Sequence, residues 1–144
     1  MNLLAFVGFL LLVGACAPVA TAPDAAMKKE IPAADAMMQK LPDQIFAAHF
    51  VDAAPKHGDT LTKLPEQIVI NFNFTLSEPS TIAATKDDKP VELGKVVLAS
   101  NKLSMASPLP GNLGDGFYVV KYKACWPDKS CHDGLFAFKV ASAK

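Results

Sequence analysis

The sequence predicts an all-β sandwich of about seven short strands, and three observations carry that prediction. Ile68-Val-Ile-Asn-Phe-Asn-Phe74 alternates with period two, the pattern of a half-buried strand. Breaker-rich clusters recur at Pro55-Lys-His-Gly58, Lys86-Asp-Asp-Lys-Pro90 and Pro108-Leu-Pro-Gly-Asn-Leu-Gly-Asp-Gly116. Between them no long stretch carries the 3.6-residue periodicity of an amphipathic helix.

Taken in chain order, the expected strands begin with Phe50–Ala53. In Ile68–Phe74, next, Ile68, Ile70, Phe72 and Phe74 share one face and Asn71 and Asn73 the other. Thr81–Thr85, Val91–Leu98 and Lys102–Met105 follow. In Phe117–Cys125, Tyr118, Val120, Tyr122 and Ala124 face one way, with Lys121 and Lys123 opposite. Leu135–Val140 closes the series with Phe136, Phe138 and Val140 aligned. A sandwich of this kind carries function in its end loops, and the fold alone names no chemistry.

The first 16 residues stand apart from this domain. Leu3 to Val13 is an apolar run too short to cross a bilayer as a helix, and it reads as a secretory signal. It ends in Val13-Gly14-Ala15-Cys16, which resembles a bacterial lipobox, although Met1-Asn2 carries no Lys or Arg. That resemblance implies lipidation of Cys16; the alternative is ordinary signal cleavage. Several acyl chains give stable anchoring, each buried CH2 contributing about 0.8 kcal/mol. Ala17 after the cysteine implies the outer membrane in an organism with two membranes. Residues 17–45 are rich in Ala and Pro and read as a tether. Met27, Met37 and Met38 in it are apolar filler or weak Cu(I) ligands. The folded domain is expected over residues 46–144.

Charge excludes some functions. The chain has 14 basic and 14 acidic residues, and the sequence contains no Arg. Nucleic-acid binding normally needs a basic patch, and none is visible. No His-Glu-x-x-His, P-loop or Gly-x-Ser-x-Gly motif occurs, so the sequence offers no enzymatic signature.

The order and spacing of several motifs point to a family. Phe50-x4-Pro55-x2-Gly58-x2-Leu61 and Pro65-x2-Ile68-x-Ile70-x-Phe72 open the domain, and Gly116-x-Tyr118-x-Val120-x-Tyr122, Asp128, Gly134, Phe138 and Val140 close it. From about Ala47 to Val140 the chain resembles the CopC-type copper-resistance domain. The resemblance implies an immunoglobulin-like, Greek-key β-sandwich that binds copper in the periplasm without catalysis. It also implies a Cu(II) site built from a histidine at the mature N-terminus and an Asp-x-His motif in the last loop. Asp128 occupies the aspartate position, but Ser130 stands at the following histidine and Ala47 at the N-terminal one.

Both histidines reappear two residues later, as His49 and His132. A shift of two keeps a side chain on the same face of an extended strand. Were the first and last strands parallel neighbours, equal shifts would keep the two imidazoles together. His49, Asp128 and His132 are therefore the expected displaced Cu(II) ligands, imidazole and carboxylate being suited to that ion. The alternative is a pair of unrelated surface histidines. His57 lies in a turn and is expected to be solvated, or else a third nitrogen donor. Met105 is expected to pack in a strand, with Cu(I) ligation as the alternative.

With Cys16 lipidated, Cys125 and Cys131 remain as a pair, and an exported protein favours a disulfide between them. The alternative is that both stay reduced and hold Cu(I) with His132. The resulting expectation is a lipid-anchored protein of the bacterial cell envelope, facing the periplasm. It would bind copper for buffering, resistance or delivery to another envelope copper protein. The competing expectation is an interaction module that kept the fold without the metal and contacts a partner through the Cys125–Cys131 loop, with Trp126 either an exposed anchor or an aromatic folded over the sandwich edge.

Overall fold

The computed structural model describes residues 40–143. The expectations for the signal segment, Cys16, Met27, Met37 and Met38 lie outside the described residues. No helix occurs among those described.

Among the described residues, nine strands form two sheets. They are β1 (Phe50–Ala54), β2 (Thr60–Leu61), β3 (Gln67–Phe72), β4 (Ser77–Lys86), β5 (Lys89–Val91), β6 (Val97–Leu98), β7 (Ser104–Pro108), β8 (Gly116–Cys125) and β9 (Cys131–Val140). One sheet has the order β1-β3-β7-β6 and the other β2-β9-β8-β4-β5. The all-β sandwich read from the sequence is the fold observed.

The predicted faces meet in the core. Ile68, Ile70 and Phe72 from β3 are buried, as are Tyr118, Val120, Tyr122 and Ala124 from β8 and Phe136, Phe138 and Val140 from β9. Tyr118 stacks on Phe138 with centroids 5.0 Å apart. Met105 is fully buried on β7, the packed residue the sequence favoured. Ser107 is the polar residue in this core, and its hydroxyl donates to the Gly94 carbonyl at 2.7 Å.

Several elements differ from expectation, each for a tertiary reason. Val91–Leu98 is not one strand: its ends join different sheets as β5 and β6, and the chain crosses between them. The crossing runs so close to β7 that a Cβ on Gly94 would sit 2.9 Å from the Pro108 ring. The strand around Ile68 ends at Phe72, where the bond from the Asn73 N–H to the His49 carbonyl (2.9 Å) is the last tie of the β1–β3 ladder. Phe74 consequently does not join the core face and is 46% exposed. β9 starts at Cys131, four residues before the apolar pattern does, because β8 pairs with it continuously from Gly116↔Val140 to Cys125↔Cys131.

The two-residue β2 carries no readable pattern; it exists through parallel pairing of Thr60 with Lys139 and Leu61 with Val140. Beside it His57 is half-buried and not simply solvated: its Nδ1 accepts the Ala137 N–H at 3.2 Å. The imidazole supplies an acceptor where the β9 edge lacks a strand partner. Upstream of β1, Ile45 exchanges two backbone hydrogen bonds of 2.9 Å with Leu135.

Candidate metal centre at one end of the sandwich

The candidate ligands gather at the end of the sandwich where β8 turns into β9. β8 and β9 are joined by residues 126–130, closed by the Trp126 N–H donating to the Ser130 carbonyl (2.9 Å). Cys125 and Cys131 face each other across the ladder and form a disulfide. Ser80 adds a further tie, its hydroxyl accepting the Cys125 N–H at 3.1 Å.

Trp126 is 4% exposed, folded over the end of the core against Phe72 (centroids 5.6 Å) and Phe74 (6.0 Å). Of the two expectations for Trp126, the exposed anchor is thus corrected and the aromatic folded over the edge is what the structure has.

His49 and His132 both border that indole. His49 meets it edge-on with ring centroids 5.3 Å apart, and His132 lies tilted at 6.4 Å. His49 does not reach this place on a strand. It is the third residue of a turn closed by the Phe50 N–H and the Ala47 carbonyl (3.3 Å), with φ at 61°. That left-handed conformation is uncommon outside Gly, though His tolerates it better than most residues. Nor are the first and last strands neighbours: β1 and β9 belong to different sheets. Each histidine thus reaches the Trp126 indole from a different sheet and not along a shared ladder.

Three contacts hold the His49 ring. Its Nδ1 lies 3.1 Å from Asn73 Oδ1, its face stacks on Phe74 at 4.8 Å with 23° between planes, and its edge meets Trp126. Sequence reasoning singled out neither Asn73 nor Phe74 for this role. The outward position of Asn73 in the β3 pattern was the one available signal.

Asp128 is engaged within its own turn. Its Oδ1 accepts the Ser130 hydroxyl (2.6 Å) and the Ser130 N–H (3.0 Å). Those two bonds from Ser130, the hydroxyl first, hold its carboxyl below the ordinary value of 3.8, and the His132 charge contributes least. Ser130, at the position where the resemblance implies a histidine, thus recruits the aspartate to shape the loop. Among the described residues no group of three or more His, Cys, Asp or Glu side chains is close enough to hold a metal as they stand.

The Cu(I) set of Cys125, Cys131 and His132 is not assembled either. The two sulfurs are bonded to each other. His132 follows Cys131 directly on β9 and so leaves the opposite face of the sheet.

Comparison with known proteins places this geometry. No curated protein matches the chain. Among solved structures, it is similar to PcoC, a methionine-rich copper resistance protein from Escherichia coli, at 24% identity and a TM-score of 0.58, over 65% of this chain and 97% of PcoC. It is also similar to CopC from Methylosinus trichosporium OB3b, at 22% identity and a TM-score of 0.59, over 69% of this chain and 97% of that one. At such identities the likeness speaks for the fold. The sequence pattern of the CopC domain itself matches residues 50–141, which is most of the described region and includes every strand. With its sandwich, its register and this match in agreement, the chain belongs to the CopC domain family.

Proposed function

We propose that this chain is a copper-binding protein of the bacterial cell envelope, held to the membrane by a lipid on Cys16. Its role is to buffer copper, confer resistance or deliver the ion to another envelope copper protein, by coordination and ligand exchange without catalysis. One observation carries the reading: two imidazoles 83 positions apart in sequence border a single indole at an open end of the sandwich. Both histidines are exposed, so neither needs the core to open before it meets an ion. Asp128, exposed in the loop that joins β8 to β9, is the candidate third donor once it gives up a bond from Ser130. Imidazole with carboxylate suits Cu(II).

The lack of a ready three-donor group among the described residues favours a second reading, the interaction module. Phe46, 62% exposed, and Phe74 would then offer the partner more apolar surface than Trp126 does.

The test is a titration of the exported protein with one equivalent of Cu(II), followed by native mass spectrometry and by fluorescence of the single Trp. Copper binding predicts one retained ion and quenched emission, with both lost in the His49→Ala/His132→Ala variant. A wild type that retains no copper leaves the interaction module as the better reading.

A further inference from the structure

The geometry points to Asn73 as the residue that positions His49 for metal capture, by holding the imidazole in the tautomer that leaves the lone pair on Nε2. The inference rests on the copper reading above and adds to it the identity of the donating atom.

A neutral imidazole has one N–H and one lone pair, and the partner of one nitrogen decides the role of the other. Asn73 Oδ1 is an acceptor, 3.1 Å from His49 Nδ1. The hydrogen bond therefore requires the proton on Nδ1 and leaves Nε2 as the acceptor or ligand. This is the tautomer that a free imidazole in water populates less, so the protein selects it. Metal-binding histidines commonly have such a partner, which fixes both the ring plane and the tautomer.

The backbone supports the same arrangement. His49 is held at φ 61°, and the bond from the Asn73 N–H to its carbonyl (2.9 Å) stabilises that conformation. One residue therefore contacts His49 twice, through backbone and side chain. Phe74, the next residue, covers the face of the ring, and Trp126 limits its rotation from the edge. A simple surface histidine would need none of these restraints; a ligand benefits from all of them, because a ring already oriented loses less entropy on binding. The end of β3 thus brings two consecutive residues, Asn73 and Phe74, against the His49 ring.

The decisive measurement is made first without metal. In the 15N-labelled, exported protein, long-range imidazole 1H–15N correlations report the tautomer of His49 directly. The wild type is expected to show the proton on Nδ1, Asn73→Ala to move it largely to Nε2, and Asn73→Asp, which keeps an acceptor oxygen, to restore it. Asn73 is exposed and its backbone N–H remains in every variant, so the fold is expected to survive; His57, bonded to Ala137 on β9, serves as the internal control for it. Cu(II) affinity, measured by competition, should then fall about 10-fold or more in Asn73→Ala and recover in Asn73→Asp.

A wild-type His49 protonated on Nε2 overturns the inference, as does a tautomer that ignores Asn73→Ala. Equal Cu(II) affinity in wild type and Asn73→Ala removes the positioning role of Asn73 alone. A wild type that binds no Cu(II) removes the copper reading, and the positioning role with it.

Discussion

Gly134 lies directly opposite Tyr122 in the β8–β9 ladder, and the tyrosine ring crosses it. A Cβ at Gly134 would lie 2.0 Å from Tyr122 Cζ and 2.3 Å from its hydroxyl, against an ordinary contact of 3.4–4 Å. The ring has nowhere easy to go. Tyr122 is buried, with Phe50, Phe72 and Phe136 around it at 6.1–6.3 Å. Overpacking of this kind costs about 1–3 kcal/mol. The displaced hydroxyl also loses the Ala47 N–H it accepts at 3.3 Å, a buried bond worth about 1 kcal/mol. Gly134→Ala should therefore destabilise the domain by about 2–4 kcal/mol, and lower Tm by roughly 10 °C or more at the usual 4–8 °C per kcal/mol for a domain of this size. Urea and thermal denaturation followed by circular dichroism measure both quantities. The same change in a Tyr122→Ala background should cost far less, because the clash has gone. Two results refute the reasoning: a Gly134→Ala midpoint within about 0.5 kcal/mol of wild type, or an undiminished cost in the Tyr122→Ala background. Because Ala47 also begins the turn that carries His49, a displaced Tyr122 should loosen the candidate metal centre as well.

Two further predictions concern stability. Removing the Cys125–Cys131 disulfide by double alanine substitution should cost roughly 2 kcal/mol, the chain-entropy value for so short a loop; identical denaturation midpoints would show that the Trp126–Ser130 hairpin holds itself. At alkaline pH, burial first, then the charges of Asp87 and Asp115, push the Tyr118 hydroxyl up to about 12, and burial also raises Tyr122. A raised folded-state value adds stability that is fully present below the ordinary 10.0 and is lost as pH rises through about 12. Tyrosinate absorbance at 295 nm should accordingly appear together with loss of β structure; tyrosinate forming near pH 10 in a protein that stays folded would contradict the burial argument.

Much of the architecture was legible because strand patterning is local. The inward faces of β3, β8 and β9 are alternating side chains a few residues apart, and the hairpin joining β8 to β9 places Cys125 opposite Cys131 almost without reference to the rest of the chain. The Gly134 of the family pattern also acquires a physical meaning, as the space through which Tyr122 reaches Ala47. What stayed illegible were elements lacking a pattern of their own. β2 and β6 are two residues each, β2 existing only through a partner about 80 residues away in sequence, and the break inside Val91–Leu98 is a change of sheet that apolar composition does not record.

The candidate centre divides along the same line. From the sequence by itself came the residue types, His49, Asp128 and His132, and the offset of the two histidines by two from the positions the CopC resemblance implies. Only the tertiary structure decided their surroundings. It turned Asp128 toward Ser130, set His49 in a left-handed turn beside Asn73 and Phe74, and closed both histidines on Trp126. The reason is physical: the contacts of His49 and Phe74 with Trp126 join the end of one sheet to the hairpin of the other, and the packing of two sheets is not encoded in the period of either.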